Sequence, residues 1–83
     1  MTLTREQIYE AIRAALMELF EIDAERITPE ARLAEDLEID SIDAVDLMDR
    51  LKRFTGRKIG AEDFRSVRTV NDLVGAVERL VRA

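Results

Sequence analysis

The stretch Asp36-Leu37-Glu38-Ile39-Asp40-Ser41-Ile42-Asp43-Ala44-Val45-Asp46-Leu47 contains the change from loop to helix that decides the fold. Asp40 has the chemistry of an N-cap, Asp43 stands at N3, and acids fill the first turn, so a helix starts at Ser41. It runs to about Thr55. Gly56 then falls near a C′ position, with Lys52, Arg53 and Arg57 as the cations a helix C-terminus favours. At about 100° per residue, Ala44, Leu47, Met48, Leu51 and Phe54 share one arc, the expected core face. Ile42 and Val45 project from the opposite side, flanked by Asp46 and Asp49, with Asp43 nearer the edge. A helix that buries one face of a small bundle should be polar on the other. The pair reads in one of two ways. It is scattered surface, or surface covered by the neighbouring loop, or it is a partner-docking patch with an apolar centre and an acidic rim.

Upstream, Thr4 and Gln7 have capping-box spacing, and Leu3 and Ile8 are placed for a hydrophobic staple. Ile8, Ile12, Ala15, Leu16, Leu19 and Phe20 follow at steps of three and four, predicting a helix from about Arg5 to Phe20. Between Glu21 and Asp40 no helical period is sustained, and Thr28-Pro29 disfavours helix at Thr28. A connection this long is unusual in a compact domain. Ile22, Ile27, Leu33, Leu37 and Ile39 recur through it, which pins it to a core. Downstream, a short turn or helix over Ala61–Ser66 contributes Phe64, flanked by Ile59 and Val67. Thr69 and Asp72 repeat the cap spacing, and Val70, Leu73, Val74, Val77, Leu80 and Val81 form the last stripe. Gly75 inside that stripe lowers helix propensity and would permit a close helix approach. The expected fold is all-α: one domain over residues 1–83, with three main helices, one short helix and a long loop between helices one and two.

Composition narrows the chemistry. The 83 residues include no cysteine and no histidine, which excludes disulfides, thiolate zinc sites, thiol nucleophiles and any Ser/His/Asp triad. No run of about 18 apolar residues could span a membrane, and no apolar core follows a basic start, so a cytoplasmic location is expected. The net charge of −5 is unevenly divided: residues 1–50 carry −9 and residues 51–83 carry +4. Between 30 and 49 eight acids face only Arg32. Such a field repels nucleic acid and anionic membrane and attracts basic protein surfaces.

Ser41 is not equipped to be a catalytic nucleophile. No histidine is available as its base, and Ala44 stands where a Ser-x-x-Lys motif would need lysine. If Ser41 has a role, another enzyme acts on it. Asp36, Glu38 and Asp40 have the first spacings of a calcium loop. Ser41 replaces the required glycine, however, and Leu47 the bidentate glutamate, so a high-affinity EF-hand is rejected.

The same twelve residues closely resemble the phosphopantetheine-attachment motif of acyl carrier proteins, an Asp-Leu-Gly-x-Asp-Ser-Leu-x-x-Val-Glu-Leu pattern. The resemblance extends over essentially the whole chain: first helix, long loop, the Asp40-Ser41 start of helix two, and Thr69-Val70 opening the last helix. It implies a carrier that is not itself an enzyme. Ser41 would receive 4′-phosphopantetheine from coenzyme A through a phosphodiester, beside the N-cap Asp40. A separate phosphopantetheinyl transferase would add it, and the arm's thiol would hold an acyl group as a thioester.

The resemblance further implies that Ile42, Asp43, Val45, Asp46 and Asp49 meet basic docking surfaces on ketosynthase, ketoreductase, dehydratase and acyltransferase-type enzymes, with the carrier a monomer. Phe20, Leu33, Ile59, Phe64, Val67, Val74 and the core face of helix two would line a cavity for the chain. Three departures stand out. Glu38 replaces the usual glycine, Ile42 replaces leucine, and Arg50, Lys52 and Arg53 close helix two where fatty-acid carriers tend to stay acidic. Together with the stretches DSIDAVDL and RSVRTV, these are more similar to carriers of secondary pathways, such as aryl-polyene or other polyketide-like systems. A peptidyl or aminoacyl carrier is the nearest alternative, although Asp40 argues against it. An unmodified helical interaction module is the other.

Overall fold

A computed structural model describes residues 3–60 and 64–82. Its first helix, α1, spans Arg5–Phe20, starting at a capping box in which Thr4 Oγ1 accepts from the Gln7 amide at 3.1 Å and Gln7 Oε1 accepts from the Thr4 amide at 2.8 Å. It stops where Glu21 turns left-handed at φ 52°. The second helix, α2, spans Ser41–Thr55 and stops at Gly56, whose φ of 76° is free of strain only without a Cβ. The third, α3, spans Val70–Arg82. Thr69 caps it: its hydroxyl accepts from the Asp72 amide at 3.1 Å, while the Asp72 carboxylate accepts from the amides of Arg68 and Thr69, each at 3.2 Å. All three helices therefore begin where a side-chain acceptor replaces the missing intrahelical carbonyl.

The apolar stripes meet in one core. Ile8, Ile12 and Leu16 of α1, Leu47 and Leu51 of α2, and Val70, Leu73, Val74 and Val77 of α3 are almost completely buried. Arg5 fastens α1 to α3 from outside, donating to Glu78 at 3.2 Å and Asn71 at 2.6 Å. Arg50 of α2 pairs with Glu18 of α1. Phe54 departs from the expected core arc. It is 41% exposed, on the last turn of α2, where it lines a shallow depression with Leu3, Thr4 and the first turns of α1. Gly75 meets nothing within 4 Å of where a Cβ would stand, so no close helix approach depends on it.

The 21–40 connection is pinned to the core as its apolar recurrence requires: Ile22, Ile27, Leu33, Leu37 and Ile39 are all buried, with one 3-10 turn at Ala24–Arg26. Its backbone is tied to the approach to α3. The Leu33 amide donates to the Arg68 carbonyl at 2.8 Å, the Val70 amide to Ala31 at 2.9 Å, and the Asn71 amide to Pro29 at 2.9 Å, around an antiparallel bridge between Arg32 and Thr69. Tyr9 adds a hydrogen bond from its hydroxyl to the Ile27 carbonyl at 3.1 Å. These bonds satisfy backbone groups that a long loop would otherwise bury unpaired. The expected short element over 61–66 lies partly outside the described residues. Within them, Phe64 and Arg65 are helical and the Val67 amide donates to the Phe64 carbonyl at 3.0 Å.

Candidate functional site

The start of α2 is held by its own acids. Asp40 Oδ1 accepts from the amides of Ile42 at 3.0 Å and Asp43 at 2.9 Å, and the Asp43 carboxylate reaches back to the Asp40 amide at 3.4 Å. This satisfies two first-turn donors and places negative charge at the positive end of the helix. Ser41 follows at the first helical position. It is exposed, and its hydroxyl has no hydrogen-bond partner among the described residues.

Glu38, the residue that departs from the motif's glycine, holds φ 56°. The departure leaves the backbone in the left-handed region a glycine would enter freely, and here the side chain bears the strain. The wall before it is fixed by a knot of charge. Asp36 accepts from the Arg32 amide at 2.8 Å and from Arg32 Nε at 3.4 Å, Glu35 pairs with the same guanidinium, and Arg26 donates to the Asp36 carbonyl at 2.6 Å. The hydrogen bond from the Arg32 amide, followed by that from its side chain, holds the Asp36 carboxyl below the usual carboxylate range.

The outer face of α2 is open. Ile42 is 75% exposed and Val45 58%, and the long loop, committed to α3, does not cover them. Asp40, Asp46 and Asp49 are exposed around the pair and Asp43 is half-buried. Arg53 lies 3.4 Å from Asp49 and so neutralises part of the rim at its C-terminal end. Coverage by the loop is therefore removed, which leaves scattered surface and a docking patch as the readings of this face.

Ser41 also stands at the edge of a cleft of about 430 Å³, within the range of small-molecule sites. Three pieces of chain form it: the loop through Leu33 and Ile39, α2 through Ala44 and Met48, and the 64–68 segment through Phe64 and Val67. Among the expected lining residues, Leu33, Phe64 and Val67 are present. Phe20, Ile59 and Val74 are not. Val74 is spent in the α1–α3 core, and Phe20 and Ile59 border other surface depressions. Two lining residues that sequence reasoning missed are Arg65 and Arg68. A search for apolar positions passes over cations.

An exposed serine hydroxyl, without a hydrogen-bond partner among the described residues and lining a mainly apolar cleft, is chemically suited to carry a covalent arm. Ser41 can be reached by a foreign catalyst without unfolding the helix, and its neighbours hold the turn in place. The positive helix end favours a phosphate there in general terms, although the amides of Ile42 and Asp43 are already occupied by Asp40.

Comparison with known proteins agrees with this arrangement. A family model described as "Phosphopantetheine attachment site" matches residues 10–77, which includes the whole of α2 and the cleft. The chain is 53% identical over 81 residues to acyl carrier protein 2 of Ralstonia nicotianae, covering 98% of this chain and 100% of that one. It is 33% identical over 76 residues to the acyl carrier protein of Thermotoga maritima, covering 92% and 94%. It is also 35% identical over 80 residues to the meromycolate extension acyl carrier protein of Mycobacterium tuberculosis, covering 96% of this chain and 70% of that one. The chain belongs to the acyl carrier protein family. It is thus a carrier, not an enzyme, and its prosthetic group is covalently bound phosphopantetheine. No described helix is long and apolar enough to cross a membrane.

Proposed function

We propose that Ser41 is the attachment point and that the protein carries growing fatty-acid-like, polyketide or polyene chains among a set of partner enzymes in the cytoplasm, as a monomer. The observation that carries this reading is the position of Ser41: exposed, without a hydrogen-bond partner for its hydroxyl among the described residues, on the first turn of α2, lining the cleft. In loading, Ser41 Oγ forms a bond to the pantetheine-side phosphorus of coenzyme A. The pyrophosphate bond breaks, the nucleotide half leaves, and the serine proton passes to a base on the transferase. When bound, the arm supplies a thiol that holds an acyl group as a thioester. This chain's residues orient, shelter and present. Asp40 and Asp43 keep the first turn from fraying, so the arm leaves from a fixed direction. Ile42 and Val45 offer apolar contact, and Asp40, Asp43, Asp46 and Asp49 offer carboxylates to basic residues on a phosphopantetheinyl transferase and on ketosynthase-, ketoreductase-, dehydratase- or acyltransferase-type enzymes.

Incubation with coenzyme A and a broad-specificity transferase tests the assignment. Intact mass should rise by one phosphopantetheine, and Ser41→Ala should abolish the gain. Absence of any gain with several transferases would favour an unmodified interaction module. A gain that survives Ser41→Ala would move the site.

A further inference from the structure

The charges around the cleft are not all accounted for by the fold. Of the acids on its rim, Glu35 is paired with Arg32, and Asp40 is occupied by the amides of α2. Of the cations, Arg32 is held by Glu35 and Asp36. Arg65 and Arg68 are different. Both are exposed, both line the cleft, and neither has an ion pair among the described residues, although Arg68 is close enough to Asp72 to favour its charged form. The Arg68 backbone is fixed from both sides, its carbonyl accepting from Leu33 and its amide donating to Asp72, so its position at the cleft is set by the fold.

In a chain of net charge −5, two arginines without an ion pair among the described residues line one largely apolar cavity that Ser41 also lines. A cleft meant for a plain alkyl chain gains nothing from them, because hydrocarbon offers a guanidinium no acceptor. Oxygen does. Arginine presents planar donors that suit carboxylate and carbonyl oxygens alike.

We infer that Arg65 and Arg68 make this cleft selective for acyl chains that carry oxygen acceptors, whether oxo groups along the chain or a terminal carboxylate, over unsubstituted alkyl chains. The inference rests on Ser41 being the attachment point, since only an arm fixed there delivers cargo to this cavity. Leu33, Phe64 and Met48 would hold the carbon skeleton, and the guanidiniums its oxygens.

The test loads the intact protein and an Arg65→Gln/Arg68→Gln double variant with hexanoyl, 3-oxohexanoyl and 5-carboxypentanoyl pantetheine from the corresponding coenzyme A thioesters. Hydrolysis of each thioester is followed by intact mass, and circular dichroism checks that the variant retains its helices. The variant should hydrolyse the two oxygen-bearing cargoes about three to ten times faster than the native chain does, the effect of roughly one net hydrogen bond. Hexanoyl release should change by less than about twofold, being without such a bond. Equal acceleration for all three cargoes would overturn the inference, as would no acceleration for either oxygenated one. Acceleration confined to one of the two would support it and identify the oxygen. If the double substitution lowers the melting temperature of the holo form bearing a free thiol but not of the apo form, the arginines serve the phosphate of the arm, and the inference falls. Complete failure of loading would show up earlier, as no mass gain, and would overturn the carrier assignment of Ser41 and this inference with it.

Discussion

Replacing Asp40 with alanine tests its observed role as a helix cap and its proposed role in docking together. Its carboxylate accepts two amide hydrogen bonds, from Ile42 and Asp43, and Asp43 returns a weaker one. Loss of such a cap costs about 0.5–2 kcal/mol. Both amides lie at an exposed helix start where water can replace the carboxylate, which places Asp40→Ala at about 1–1.5 kcal/mol. For a domain of this size that corresponds to a fall of about 4–12 °C in melting temperature. Asp40→Asn keeps an acceptor of equal capping quality and loses only the charge at the helix end, about 0.3–1 kcal/mol. Thermal unfolding followed by circular dichroism at neutral pH should therefore rank native above Asn and Asn above Ala. Phosphopantetheinylation rates at a temperature where all three are folded should be reduced in both variants, because both have lost the carboxylate offered to the transferase. A melting temperature for Asp40→Ala within about 1 °C of native, when the cap should move it several degrees, would refute the capping account.

Other substitutions test other parts of the structure. Val45→Lys and Asp46→Arg should slow acyl transfer by partner enzymes while leaving the circular dichroism spectrum and melting temperature close to native; unchanged transfer kinetics in both would remove the outer face of α2 from the function. Leu47→Ala empties a fully buried site and should cost about 2–5 kcal/mol in urea unfolding. Gly75→Ala should raise stability by about 0.5–1 kcal/mol, since the added methyl meets open space and the helix interior disfavours glycine. Glu38→Gly should be neutral or stabilising, whereas Glu38→Val should destabilise, because a β-branched residue tolerates a φ of 56° poorly.

Acid should also weaken the fold in a defined way. The hydrogen bonds from the Thr69 and Arg68 amides hold the Asp72 carboxyl below its usual range, as the Arg32 bonds do for Asp36. A depressed native pKa stabilises the fold fully above the unfolded value of about 4 and loses that contribution as pH falls through the native value. An Asp36→Asn/Asp72→Asn variant should therefore show a shallower decline of melting temperature as pH is lowered from neutral through this window. Parallel declines would contradict the assignment.

How much of this was legible in the sequence depends on whether the cause was local. The bounds of α1 and α2 followed from Thr4, Gln7, Asp40, Asp43 and Gly56, residues that act on backbone groups within four positions of themselves. Burial of Ile22, Ile27, Leu33, Leu37 and Ile39 was legible too, since apolar side chains in a long connection have few other places to go. What the loop packs against was not. The bonds joining Ala31 and Leu33 to Val70 and Arg68 are between backbone groups, which every residue carries, and no side-chain pattern announces them. Phe54 was misplaced because a helical wheel gives each turn the same neighbours, while on the last turn of α2 it lies partly exposed beside a shallow depression. At the site, the helix start at Ser41 and the outward placing of Ile42 and Val45 follow from local cap chemistry and helical spacing, and all three residues are exposed. The cleft was half right, because apolar character selects Leu33, Phe64 and Val67 but equally selects Val74, which the core claims, and it never selects an arginine.

The knot in which Arg26, Arg32, Glu35 and Asp36 bind one another is already formed beside the cleft that Arg32 and Glu35 line. The entropy of ordering that wall is lost once, at folding, and not again at every loading event. If Ser41 carries the arm as proposed, differences in turnover among partner enzymes should trace to their own hold on the outer surface of α2 and to the cargo, more than to this wall.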